Sequence, residues 1–524
     1  MHSRWSVFAL ALTLGTTGVA YADQAPDTQT QIQSLQQQLD AMKAQLDQLK
    51  AQQEKDQAAK AKVKAAQAEA PVARANGAPL TFLLGKSDEM TLYGNLDLSY
   101  DVTTKGLKSS YNLPDGTVAS PVGNMGYLGA ISTNLSYIGL RGQHVLNPRT
   151  RVVYQLETQI DVSSTSGATN SNFNTDGVVK GGLTSRNSYV GVANKYVGAL
   201  KLGKTDAPYK TSTMKMNPFS GELGDYSVIM GNSGGDNRVE FATRLDHSIW
   251  YESPVLGGFT FNALVSPGQN RASDNSIIAS GEYGCSGGDL PGSGATPPAC
   301  NDGSWGSVYS TNLAYQSHGF YATGAYEMHK KVNRQSDLAA TDPLALANVA
   351  DEDALKFGAQ YAFRTGTVIN AVYEDMRRYV PQSLAFQDER SRNGMWYALT
   401  QNLSPKDNIN FGWAHAGATR GYPGLANGLG GPNPDDSANM YTFAYKHNVD
   451  RNFSWYADWA LTMNRPLAHY DLGAGGRGVT TDCHDGSQQT AFDPTATSLV
   501  SGTGPHCFGG GHIQGFSAGM DFKF

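Results

Sequence analysis

The sequence predicts an all-β fold: a 16-stranded antiparallel transmembrane β-barrel with an N-terminal coiled-coil helix. Three observations carry this. From Met90 almost to Phe524 apolar and polar residues alternate with period two, as on strands whose successive side chains leave opposite faces. The links between these segments alternate between tight turns and long stretches rich in Gly, Asn, Ser and Asp. The last segment, GFSAGMDFKF, is itself a strand pattern with no turn after it.

The elements follow in order. Residues 1–22 have the form of an export signal: His2 and Arg4, an apolar run from Val7 to Ala20, then the small-x-small site Ala20-Tyr21-Ala22. The run is short of the ~20 residues that a spanning helix needs. Residues 23–64 form the predicted stalk. Ile32, Leu35, Leu39, Met42, Leu46 and Leu49 repeat at alternating steps of three and four, which is an a/d seam. A helix with one apolar stripe wants a partner, so the stalk is expected to oligomerise. Residues 65–89 are an Ala/Pro linker.

Residues 90–524 are the predicted barrel, with about sixteen candidate strands by their periodicity. In the first, Leu92, Leu96, Leu98, Tyr100 and Val102 oppose Asn95, Asp97, Ser99 and Asp101. Tight links are expected at 144–148, 194–197, 254–257, 316–319, 364–366, 403–406 and 447–451, with long ones such as 266–305 and 464–511 between them. The apolar faces are almost free of charge and the others are expected to be polar throughout. A soluble sandwich could alternate in the same way, but it would not sort every long loop to one end. An outer-membrane barrel does, with lipid outside and water inside. At about sixteen strands side chains no longer fill the interior, so the expected function is a passive aqueous pore.

Charged residues are 16% of the chain, low for a soluble protein, yet mean hydropathy is −0.39, which excludes a helical membrane protein. The four cysteines fall as two local pairs, Cys285 with Cys300 and Cys483 with Cys507, each inside one glycine-rich stretch. Loop-internal disulfides in an oxidising compartment are the simplest reading, with metal binding at His484 and its neighbours as the rival. No metal site, cofactor or nucleic-acid partner is expected. His247-Ser248 and His415 lack the surroundings of a nucleophile or base, so no enzyme is expected.

Several strands resemble those of Gram-negative general porins of the β-proteobacterial type. They are TLYGNLD (91–97), SYIGLRG (136–142), TSRNSYVGV (184–192) with VGALKLGK (197–204), and RLDHSIWYESP (244–254) with GFTF (258–261). The closing aromatic strand completes the match, and a C-terminal Phe resembles the signal that barrel-assembly machinery recognises. The stalk is similar to that of some substrate-selective outer-membrane channels. The resemblance implies a homotrimer in contact with outer-membrane lipid and lipopolysaccharide. It also implies a third external loop, here about Thr205 to Glu240, folded inside the barrel. Acids on that loop, Glu222 and Asp225, would face basic residues on the wall. Arg186 matches one basic position and either Arg238 or Arg244 another, while Asn95 and Tyr137 stand at two more. Further lumen-lining positions are Asp97, Arg151, Glu157, Lys356, Asp458 and Asp521; with Arg186, Lys331, Lys446 and Glu327 added, the cations and acids expected on the polar faces nearly balance, so the sign of selectivity is not legible. A substrate-selective channel for dicarboxylates, phosphate or sugars is the near alternative. The other is a structural barrel tethered to peptidoglycan by a periplasmic stalk.

Overall fold

The computed structural model describes residues 80–83, 87–105, 111–112, 118–119, 125–160, 162, 186–232, 240–267, 305–333, 349–379, 391–420, 437–465, 468, 470–473 and 512–524, together with positions 36, 40, 43, 47 and 50. The chain divides into two units, 1–70 and 71–524. In the first, the five described positions, Gln36, Asp40, Lys43, Asp47 and Lys50, are helical and exposed. The six seam residues, the four cysteines and Arg238 lie outside the described residues.

In the second unit the strands are β1 (Leu80–Leu83), β2 (Asp88–Lys105), β3 (Tyr111–Asn112), β4 (Val118–Ala119), β5 (Met125–Thr133), β6 (Tyr137–Asn147), β7 (Thr150–Gln159), β8 (Ser188–Asn194), β9 (Gly198–Asp206), β10 (Arg244–Glu252), β11 (Phe259–Pro267), β12 (Ser307–Ser317), β13 (Phe320–Asn333), β14 (Val349–Ala362), β15 (Thr367–Arg378), β16 (Arg392–Asn402), β17 (Asp407–Ala416), β18 (Ala438–Asn448), β19 (Phe453–Asn464) and β20 (His512–Lys523). β3 and β4 pair only with each other; the rest form one antiparallel sheet.

That sheet is a closed barrel of sixteen staves among the described residues. β2 closes it, pairing with β20 on one edge and with β5 and β6 on the other. β5 and β6 are one stave broken at 134–136, since Leu98 faces Thr133 and Asn95 faces Tyr137. The break is held by side chains. Ser136 Oγ accepts from Asp97 N at 2.8 Å and donates to Asp97 O at 3.0 Å, and Asn134 N donates to Asp97 O. The polar groups that leave the ladder are thereby satisfied. β1, within the stretch expected to be linker, is a strand. It pairs with 89–92 on the same edge of β2 that β20 occupies above it. One stave is thus made from both ends of the second unit.

All seven expected tight links are turns. Three use one device, in which an Asx side chain accepts from the backbone N–H groups two and three residues on. Asn147 takes Arg149 and Thr150, Asn194 takes Tyr196 and Val197, and Asp450 takes Asn452 and Phe453. His318-Gly319 turns with positive φ at both residues, 46° and 85°, the twist a two-residue hairpin loop requires.

The outer face is apolar and exposed: Leu200, Leu202, Leu313, Phe357, Tyr373, Tyr397, Phe443, Trp455, Phe516 and Met520 all point away from the interior. In water a continuous belt of this kind would be an aggregation surface; in a bilayer it is the solvated face. The inner face departs from the expectation of uniform polarity. On β13–β18 it carries Val372, Met376, Trp396, Ala398, Ala414, Met440 and Ala444, all buried. The reason is that a loop lies on them.

Candidate functional site: a constriction built on an inward loop

The connection between β9 and β10 folds into the barrel. Pro208 starts a single helical turn, Pro208–Thr211, with its fixed φ at the first helical positions. Short 3₁₀ turns follow at Met214–Met216 and Tyr226–Val228. Asp225 organises the bend. Its carboxylate accepts from Gly221 N, Ser227 N and Asn217 Nδ2 at 2.8–3.0 Å.

Apolar contacts press this loop to the wall of β13–β20. Met216, Phe219, Tyr226, Ile229 and Met230 form one buried cluster with Val372, Trp396, Ala414 and Met440. Trp396 meets Phe219 edge-on at 5.9 Å and donates from its ring N–H to Met216 O. Gly412 and Gly358 leave the space for these rings and for Met216. Burying each large side chain contributes roughly 1.5–3 kcal/mol. Polar anchors fix the register. Glu374 accepts from Tyr209 Oη at 3.0 Å and from Gly231 N at 2.6 Å. Lys356 lies 3.8 Å from the Tyr209 ring centroid and 4.0 Å from Glu374. Burial, and then the charge of Glu374, push the Tyr209 hydroxyl well above its ordinary pKa. Arg392 donates to the carbonyls of Ile229 and Asn232.

The loop tip meets a polar pocket. Glu222 Oε1 pairs with Lys446 Nζ at 2.5 Å, and Lys446 also donates to Pro218 O. Leu223 N donates to Asp458 Oδ2 at 3.0 Å. Tyr456 Oη donates to Asp97 Oδ1 at 2.8 Å, and Asn134 Nδ2 donates to the same oxygen. Glu222 Oε2 and Asp458 Oδ1 are buried with no hydrogen-bond partner among the described residues. Burial pushes the Glu222 carboxyl up to about 7, against the opposing pull of Lys446.

The predicted site residues thus fall into separate groups. Glu222 and Asp225 are both buried, 3% and 7% exposed, and serve to seat the loop tip. Asp97 and Asp458 join Glu222 there. On the neighbouring wall, Arg186 pairs with Glu157 at 2.5 Å and lies over the Tyr137 ring, while Tyr93 Oη donates to Glu157 Oε2. Asn95, register partner of Tyr137, donates to Leu135 O. Arg244 is held by Asp206 and by Asn187, the residue after Arg186, at the root of the loop. Lys356 anchors the loop from behind, and Asp521 pairs with Lys523 at the closing edge.

Arg151 is exposed and donates to Gln143 Oε1. Two further cations, missed in the sequence, are exposed as well. Arg141, exposed, lies 4.7 Å over the Tyr93 ring. It sits in SYIGLRG two places past Gly139, so the same period two that turns Tyr137 inward turns it inward too. Lys215 is exposed at the loop's lowest point, donates to Gln316 Oε1 and lies over the Tyr321 ring. Among the described residues none of these three has a carboxylate within ion-pair distance.

The family description that matches this sequence is that of Gram-negative porins, over residues 58–466. No curated relative matches it in sequence. Among solved structures, the anion-selective porin from Comamonas acidovorans superposes with a TM-score of 0.55 at 15% identity, covering 83% of this chain and all of that one. OmpF of Salmonella typhi in complex with daunomycin gives 0.48 at 14%, covering 84% and 98%. The outer-membrane channel DcaP of Acinetobacter baumannii gives 0.46 at 12%, covering 84% and 99%.

Proposed function

Because this chain belongs to the Gram-negative porin family and forms an outer-membrane channel for passive diffusion, we propose that its lumen favours small anions. The observation that supports this is the asymmetry of accessible charge. Arg141, Arg151 and Lys215 are exposed with no acid partner among the described residues, whereas Glu222, Asp101 and Asp458 are buried. Ions passing a narrow, low-dielectric waist respond to the charges that reach the water, and low-dielectric walls focus that field. Glu157 is 5% exposed and already matched by Arg186. Arg186, Glu157, Tyr137 and Asn95 line the wall beside the loop tip in this reading, with Arg244 at the loop root.

The test is the reversal potential of purified protein in planar bilayers under a KCl gradient. Anion preference is expected, and Arg141→Ala, Arg151→Ala and Lys215→Ala should each reduce it. A cation preference in the wild type would sink the reading. Three copies to a unit, contact with lipopolysaccharide, assembly through the C-terminal strand and a periplasmic stalk touching peptidoglycan complete the proposal. These rest on the sequence resemblance.

A further inference from the structure

A second stretch of chain enters the barrel. β19 ends at Asn464, and of the residues that follow, Ala468, Tyr470, Asp471 and Leu472 are at most 2% exposed. Composition there suggests an external loop, yet these side chains pack inward. Asn464 holds Tyr470 by both main-chain groups: its Nδ2 donates to Tyr470 O, and its Oδ1 accepts from Tyr470 N, each at 2.9 Å. Thr462 Oγ1 donates to Asp471 O at 3.0 Å, and the Asp471 carboxylate accepts from Leu472 N. The stretch is thus stitched to the inner face of β19.

It also grips the inward loop. Tyr470 belongs to the same buried cluster as Phe219, Tyr226 and Trp396. The Arg392 guanidinium, which holds Ile229 and Asn232, lies 5.3 Å from the Tyr470 ring centroid. Leu472 joins Leu223, Ala460 and Ile513 in a second cluster. Gly473 N donates to Leu223 O at 2.6 Å. A Cβ at Gly473 would stand 2.5 Å from Glu222 O and 2.6 Å from Asp225 N, so the contact is backbone on backbone and needs glycine. Leu223 is therefore held twice, by Asp458 through its N–H and by Gly473 through its carbonyl.

We propose that residues 468 and 470–473 are a second pore-determining element: a clamp that fixes the tip of the inward loop against β18–β20. The loop has polar anchors at its root through Tyr209 and Glu374, but its tip is far from them along the chain. Without the clamp, Leu223 loses one main-chain partner and its apolar neighbour Leu472. The tip, then held by Lys446 and Asp458 alone, moves more in the lumen.

The experiment is single-channel recording on Tyr470→Ala, Tyr470→Phe, Asn464→Ala and Gly473→Val, each first shown to form heat-modifiable oligomers. Tyr470→Ala and Asn464→Ala should raise open-channel current noise several-fold and lower the voltage at which the channel closes. Tyr470→Phe, which keeps the ring and the main-chain bonds, should stay closer to wild type than Tyr470→Ala. Gly473→Val should act like Tyr470→Ala where it folds. Wild-type noise and closure in folded Tyr470→Ala and Asn464→Ala would overturn the proposal. So would a shift in reversal potential without added noise, since that marks a lining charge and not a clamp. Neither outcome bears on whether the barrel conducts, which the wild type reports independently.

Discussion

Glu222 at the tip of the inward loop and Lys446 on the inner face of β18 meet at 2.5 Å, with Glu222 only 3% exposed. This ion pair ties a loop to a wall more than two hundred residues further along the chain. It sets the loop's Glu222 against a basic residue of the wall, in a buried contact.

Removing one member should cost more than removing both. Lys446→Met leaves Glu222 and its neighbour Asp458 buried without their cation, and breaking such a pair typically costs about 3–5 kcal/mol. The double variant Lys446→Met/Glu222→Gln should recover most of that loss. Urea-unfolding midpoints of the four species in detergent measure the coupling. Equal destabilisation of the single and double variants would show that the pair does not act as a unit.

Acid should sharpen anion preference. The Glu222 carboxyl titrates near 7 because burial disfavours its charge. As pH falls through 7 it loses its negative charge, while Lys446 keeps its positive one, so the waist becomes more positive. Reversal potentials between pH 5 and 8.5 should drift toward anions on acidification, and Glu222→Gln should flatten the drift. Linkage gives the matching stability sign. The folded value lies above the ordinary carboxylate value, so Glu222's stabilising contribution is complete below about 4.5 and is lost as pH rises through 7. A drift that persists unchanged in Glu222→Gln would assign the titration to another group.

Arg186→Ala uncovers Glu157, whose remaining side-chain partner described here is the Tyr93 hydroxyl. Selectivity should move toward cations, and Arg186→Lys should move it less, because the charge is kept while the guanidinium contact over Tyr137 is lost. No change in the reversal potential of the alanine variant would remove Arg186 from the constriction.

Gly94→Val should impair assembly far more than conductance. Gly94 and Phe524 exchange both main-chain bonds at 3.0 and 3.2 Å, and a Cβ at Gly94 would collide with the Phe524 ring. Deleting Phe524 should have the same effect by removing the closing pair. The yield of heat-modifiable oligomer is the readout. Normal yield with lowered conductance would reverse the assignment.

The barrel was legible in the sequence because its physics is local. Period two reports which face meets lipid, and Asn147, Asn194 and Asp450 mark turns through bonds spanning two or three residues. The site was legible only in part. Tyr209 and Glu374, or Lys446 and Glu222, come together through closure of the whole barrel, and no short window contains both. Trp396 and Met440 point inward in strands where polar residues were expected, because the loop that covers them lies far off in the chain. Tyr470 and Leu472 were hidden for the same reason, inside a stretch whose glycine content suggests an external loop.

The stave shared by β1 and β20 has a mechanical meaning. β1 and β2 are neighbours in sequence and can pair before the rest of the chain is in place. Once they have, the edge of β2 is occupied up to Leu92, and its free part begins at Gly94. The arriving C-terminal strand can slide only until Phe524 meets that obstacle. Leu80–Leu83 is therefore a doorstop that sets the shear of the closing cylinder: it stops β20 where Phe522 faces Leu96 and Phe516 faces Val102. A barrel lacking those four residues would still find its partner edge, but would lose the feature that tells it where to stop.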